Sequence, residues 1–223
     1  MKYKISYSDI IQNAGNMTLN NYKITKIISN VFDSEFPIFV NLYTGDNGYD
    51  KYVSKLLNSL KKFNLPYYIV EIHSNGDSWE KICQQKPFLI KKILNLYKKK
   101  KKNVVWVDAD SIIEKEPILF KEIDKSFAVH YIYENELASG TLFFKNDDIS
   151  YNIIEDWIKM NNTNDKLWDQ RTLQAVIQDK YLEHVFKLPK EYCTIFDRVG
   201  YDQSNRVISQ WQASRELKFN NRK

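Results

Sequence analysis

Asp108 and Asp110 stand one residue apart, directly after the apolar run VVWV at 104–107. Two carboxylates delivered to one spot concentrate negative charge, which is unfavourable without a counter-charge. Carboxylate oxygens suit hard divalent ions, so Mg²⁺ or Mn²⁺ is the expected remedy. An ion held this way keeps positions for diphosphate oxygens and neutralises charge on a departing phosphate. The run itself reads as a strand buried on both faces, as in parallel sheets. If the chain continues extended, residues two apart point the same way. Asp108 and Asp110 then share a side, and Ala109 faces the other.

The elements that must position this pair alternate along the chain. PIFVNLYT (37–44) predicts a strand, followed by a turn at 45–48. Tyr52, Val53, Leu56, Leu57, Leu60 and Phe63 fall on one helical face that Pro66 closes off. YYIVEI (67–72) is a second strand, 86–99 a second helix with Pro87 near its start, and VVWV the third strand. This order predicts parallel βαβ units with right-handed crossovers. In such sheets ligands bind beyond the carboxyl ends of the strands, where both aspartates are expected. Further on, 127–132, 141–145 and 184–189 read as strands, 117–123 as a short helix, and 149–161 and 169–181 as helices. The fold class is α/β, a mixed and mostly parallel sheet flanked by helices. NYKITKIISNVF (21–32) has helix-like spacing.

With 223 residues, 43% of them hydrophobic, and only six Gly and five Pro, the chain predicts one packed domain, 1–223, with 1–35 as an extension on the core. MKYKISYSDI lacks the apolar centre of a secretory signal, and no apolar run reaches membrane-spanning length, so a cytoplasmic location without a transmembrane segment is expected. Cys83 and Cys193 have no zinc-ligand or disulfide spacing. The net charge of +5 is too small to name a partner, and the lysine run 98–102 reads as a solvated helix end.

WVDADSIIEKEP resembles the DXD segment of GT-A glycosyltransferases, and other pieces resemble that family in order: YTGD (43–46), SLKKFNLPYYIVEI, WEKICQQKPFLI, LASGTLFFKN (137–146) and WDQRTLQAVI (168–177). The resemblance runs from about Pro37 to Lys218. It implies a hexosyltransferase-like enzyme moving a sugar from a nucleotide-sugar, a UDP-sugar favoured, to a hydroxyl on a glycan, glycoconjugate or protein. It implies Asp108 and Asp110 as metal ligands for Mn²⁺ or Mg²⁺, with Asp108 also reaching the donor. Tyr43 and Thr44 would hold base and ribose, and Lys86 would be presented to the nucleotide. Ser139 and Gly140 would line the sugar, with Asp169 and Gln170 against it as the catalytic pair. Many relatives carry a C-terminal histidine as a further metal ligand. This chain has QWQASRELK (210–218) there, where Gln210 or Gln212 would substitute through a carbonyl oxygen or water would fill the place, and Arg215 and Lys218 would contact diphosphate.

Retention and inversion of the anomeric centre both remain open, and the Asp-Gln pair leans toward retention. Gly140 also suits a plain turn, and Asp169 a helix start. His130 reads as a half-buried strand residue, Trp79, Trp106, Trp157 and Trp168 as core, and Trp211 as a packing residue. Two rivals stand beside the glycosyltransferase. A haloacid-dehalogenase-type phosphatase would use Asp108 as nucleophile, although its Asp-x-Asp strand normally opens the domain. A basic nucleic-acid-binding module would use the lysine run, although its charge is concentrated rather than spread, so no nucleic acid is expected.

Overall fold

The structure, a computed structural model, describes residues 10–14, 16–164, 166–198, 200–211 and 213. The strands are β1 (Ile10–Asn13), β2 (Thr18–Leu19), β3 (Tyr22–Asn30), β4 (Ile38–Thr44), β5 (Tyr67–Ile72), β6 (Val104–Val107), β7 (Ser111–Ile113), β8 (Phe127–Tyr133), β9 (Glu136–Phe144), β10 (Val185–Lys187), β11 (Thr194–Ile195) and β12 (Ile208–Gln210). The helices are α1 (Asp50–Lys62), α2 (Trp79–Cys83), α3 (Lys86–Leu96), α4 (Asp148–Thr163) and α5 (Asp169–Val176), the last continuing as a π-helical turn to Tyr181.

The main sheet has the order β1-β3-β5-β4-β6-β9-β8-β10, with β2 on β3. Its centre, β5-β4-β6, is parallel, as the alternating strands and helices predict. β3 and β9 run against the common direction of the other strands. The mixed, mostly parallel sheet flanked by helices is therefore the observed architecture.

Each strand of the centre feeds two cores. Val104 and Trp106 of β6 pack with α3, α4 and α5 through Leu89, Ile93, Ile154, Trp157 and Leu173. Val105 and Val107 pack on the other face with Val53, Leu56 and Leu60 of α1 and with Ile113 and Ile208. This burial on both faces explains why VVWV carries no polar residue. A second sheet, β11-β12-β7, lies beside α1 and joins the chain after the two aspartates to its C-terminal part.

One element differs from its sequence reading. The stretch 22–30 is not a helix but the long strand β3, antiparallel to β5. Ile24, Ile27 and Ile28 imitate helical spacing because the register shifts between Ile24 and Lys26, and this irregularity breaks the period of two. Among the described residues, no helix is long and apolar enough to cross a membrane.

Candidate active site

The site begins where β6 ends. Asn41 of β4, fully buried, donates its Nδ2 to the Val107 carbonyl at 2.9 Å, and the Asp108 N–H reaches Gly140 O at 3.0 Å. The chain then turns instead of staying extended, with Ser111 N–H closing on Asp108 O at 2.9 Å. The extended backbone expected over 108–110 is therefore replaced by a turn. Asp108 turns toward α3, where its Oδ1 accepts from Trp106 Nε1 at 2.8 Å and pairs with Lys86 Nζ at 3.0 Å. Asp110 has a different partner, its Oδ2 accepting the Ala213 N–H at 2.5 Å. Burial, then the charge of Asp108, push the Asp110 carboxyl up to about 6, against the Ala213 hydrogen bond.

Lys86 opens α3 with its side chain inside the protein. Besides Asp108, its Nζ lies 2.9 Å from Asp169 Oδ2, 3.3 Å from Ser139 Oγ and 5.3 Å from the centre of the Trp106 ring. Burial opposes its charge, but the carboxylates of Asp108 and Asp169 prevail and hold the ammonium well above the usual lysine range. One cation shared between two acids does not fully compensate either, so burial still raises the Asp169 carboxyl, against the pull of Lys86 and the Ser139 hydroxyl. Lys86 is thus an internal counter-ion to Asp108 and Asp169.

Asp169 is 2% exposed and is fixed from behind. Its carbonyl accepts Trp157 Nε1 and Thr172 Oγ1, each at 3.0 Å, and Gln84 Nε2 holds the preceding loop through Leu167 O at 2.7 Å. Gln170 Oε1 accepts the Ser139 N–H at 3.3 Å. Lys86, Asp108, Ser139, Asp169 and Gln170, scattered over three elements and a turn, therefore form one contiguous cluster.

Other predicted residues are placed differently. Tyr43 and Thr44 are 3% and 2% exposed, and the Tyr43 hydroxyl is bound to Glu71 Oε2 at 2.7 Å, leaving almost no side-chain surface for a ligand. Gly140 does not open space for a sugar: a Cβ there would lie 3.0 Å from Gln210 Cδ. Gln210 is buried, accepting from Ser111 Oγ at 2.8 Å and donating to Thr141 Oγ1 at 2.9 Å and Gly140 O at 3.2 Å. Its carbonyl is thus committed and not offered as a metal ligand. Trp168 is 39% exposed and not core, whereas Trp211, equally exposed, packs its ring on Phe196 at 5.3 Å as expected. Gln212, Arg215 and Lys218 lie outside the described residues.

Sequence reading missed Trp106, Asn41, Gln84 and Glu71, which orient the site without bearing its chemistry, and Tyr49. Tyr49 lies partly buried beside both aspartates, whose charges help burial raise its phenol. Only the alternation of side chains along VVWV hinted that Trp106 would sit on the same side as Asp108.

For a divalent ion the fit is incomplete but real. Asp108 and Asp110 are hard oxygen donors at the end of β6, and the bonds to Trp106, Lys86 and Ala213 engage Oδ1 of the first and Oδ2 of the second.

No protein-family model matches the chain, and no curated protein sequence matches it. Solved structures do. The chain has the GT-A fold of nucleotide-diphospho-sugar transferases. One similar structure is a glycosyltransferase involved in glycosylation of the major capsid of PBCV-1, with a TM-score of 0.64 at 11% identity, covering 83% of this chain and 100% of that one. Another is the glycosyltransferase GlyE of Streptococcus pneumoniae TIGR4, with a TM-score of 0.55 at 12% identity over 78% of this chain and 54% of GlyE. Mouse xyloside xylosyltransferase 1 superposes with a TM-score of 0.51 at 10% identity, over 80% and 98% of the two chains.

Proposed function

We propose that this protein is a metal-assisted glycosyltransferase that moves a sugar from a nucleotide-diphosphate sugar, with UDP the favoured nucleotide, to an acceptor hydroxyl. The observation that carries this reading is the single ammonium of Lys86 bridging Asp108 at the end of β6 and Asp169 at the start of α5. It joins the acidic turn after β6 to a buried acid at the place where open α/β sheets bind ligands. The similarity to glycosyltransferase structures supports the same reading.

In this reading Asp108 and Asp110 hold a Mg²⁺ or Mn²⁺ ion, which supplies charge neutralisation for the departing diphosphate. Ser139, Asp169 and Gln170 line the donor sugar. Lys86 favours the ionised form of Asp169 against burial, so that its negative field faces positive charge developing at the anomeric carbon. Asp169 is enclosed by Lys86 and Ser139 at 2% exposure, which suits an electrostatic role better than that of a base reaching for the acceptor. This favours retention, with the leaving diphosphate taking the acceptor proton.

Calorimetric titration of UDP-sugars with and without Mn²⁺ tests the proposal. Ion-dependent binding by the wild type and its loss in Asp110→Asn are expected, along with release of nucleoside diphosphate on turnover. Binding that Asp110→Asn leaves untouched, or release of phosphate from phosphomonoesters instead, would overturn it.

A further inference from the structure

Resting on that reading, we propose that the acceptor is an acidic saccharide, received on the indole of Trp168 with its carboxylate or phosphate held by Arg171. Trp168 directly precedes Asp169, yet the fold treats the two oppositely: Asp169 is 2% exposed and Trp168 39%. Leu167 beside it is 46% exposed. Contiguous apolar side chains left outside among polar ones mark a binding surface.

This exposure is built into the fold. The Leu167 N–H closes on Asn164 O at 3.1 Å, and Gln84 Nε2 donates to Asn164 O at 3.1 Å and to Leu167 O at 2.7 Å. The Arg171 N–H then reaches Trp168 O at 3.1 Å in the first turn of α5. The backbone around Trp168 is thus fixed from within while its ring stays partly outside. A ring already held in place gives up little conformational freedom when a ligand covers it.

The ring also has a defined place relative to the acids. It meets Trp79, at the start of α2, edge to face with centroids 6.1 Å apart. Trp79 in turn bonds the hydroxyl of Tyr49, which lies beside Asp108 and Asp110. The three rings form a row that borders the acidic cluster and ends next to Asp169. With the diphosphate at Asp108 and Asp110 and the donor sugar at Asp169, the Trp168 end of this row is left for the acceptor.

Arg171 supplies the charge. Its guanidinium lies 5.9 Å from the centre of the Trp168 ring and pairs with no carboxylate among the described residues. Arg206, by contrast, is matched to Glu114 at 3.2 Å. A pyranose ring has a face of C–H groups that lies flat on an aromatic ring, and a guanidinium fork suits carboxylate or phosphate oxygens through two parallel hydrogen bonds. A neutral sugar would use the ring and leave the cation uncompensated, whereas an acidic one uses both.

The test is a printed array of matched neutral, carboxylated and phosphorylated glycans probed with the full chain, the best-retained glycan and its neutral counterpart then being titrated by calorimetry. The wild type should retain acidic glycans and bind the chosen one about 10-fold more tightly than its neutral counterpart. The carboxylated and phosphorylated arms tell which anion Arg171 takes. Arg171→Gln, a change at an exposed position, should cancel that preference while keeping the weak binding of the neutral glycan. Trp168→Ala should remove both, with thermal denaturation as the check that each variant is folded. Retention of neutral glycans alone, retention of no glycan, or an acid preference that survives Arg171→Gln overturns the inference. Calorimetry of the wild type with UDP, GDP and dTDP in the presence of Mn²⁺ separates the two failures. Nucleotide binding beside a failed array leaves the glycosyltransferase reading standing without this acceptor, whereas failure of every nucleotide to bind overturns that reading, and the inference with it.

Discussion

Gly140 and Gln210 share one volume: the position a Cβ would take on residue 140 lies 3.0 Å from the Gln210 Cδ. The absence of a side chain in β9 lets the C-terminal strand β12 insert an amide beneath the Asp108–Ser111 turn. That amide ties β9, β7 and β12 together through Thr141, Gly140 and Ser111.

Gly140→Ala should therefore displace the amide and destabilise the protein by about 1–3 kcal/mol, the usual range for overpacking. For a chain of this size that is a fall of about 2–4 °C in Tm per kcal/mol. The double variant Gly140→Ala/Gln210→Ala should lose less than the sum of the single changes, because both act on one contact. Strict additivity in thermal denaturation would show that the two residues are independent.

Lys86→Met should destabilise more, by about 3–5 kcal/mol, since it leaves the buried Asp169 facing Asp108 with no counter-ion. Adding Asp169→Asn should restore part of that stability, as the uncompensated charge is removed, yet transfer activity should stay absent. Chemical denaturation of the three variants, with turnover measured beside it, checks both halves.

Trp106→Phe keeps a ring in the core but removes the N–H that orients Asp108 Oδ1. Loss of such a supporting hydrogen bond behind a metal ligand typically weakens ion affinity about 10–100-fold. Calorimetry with Mn²⁺ and nucleotide together should show this weakening, whereas unchanged affinity would assign Trp106 to packing alone.

His130 should make stability pH-dependent. Its Nδ1 lies 3.1 Å from Leu188 O and its Nε2 2.8 Å from the Tyr201 hydroxyl. A carbonyl only accepts, so Nδ1 carries the proton and the neutral ring accepts the Tyr201 O–H through Nε2. Burial, helped by Arg198 and opposed by Leu188 and Glu191, lowers its pKa from the ordinary 6.5. The folded ring then binds fewer protons than the unfolded one, so its contribution is complete above the ordinary value and falls as acid protonates the folded ring. Denaturation curves between about pH 7.5 and pH 5 should show wild-type stability declining, and His130→Gln should flatten part of that decline.

Much of the fold was legible because its strands and helices carry local signals. YYIVEI is β5 to the residue, VVWV is β6, and the face of α1 is written in Tyr52, Val53, Leu56 and Leu60. β3 was not legible, because its irregularity at Thr25 replaced the strand period with one resembling a helix. In the site, the types of Asp108, Asp110, Lys86 and Asp169 announced charge chemistry, but their partnerships did not follow from spacing. A turn after Asp108, invisible in the letters, gives the two carboxylates different partners, Trp106 and Lys86 for Asp108 and the Ala213 N–H for Asp110.

The sequence by itself determined which residues bear charge and where buried strands end, since burial and periodicity act between neighbours along the chain. Tertiary structure alone decided that Lys86 is a counter-ion inside the protein, that Tyr43 is bound to Glu71, and that Gln210 is locked against Gly140. Those outcomes depend on contacts between segments up to about a hundred residues apart, where the balance of desolvation and pairing is set by distance in space and not by order in sequence.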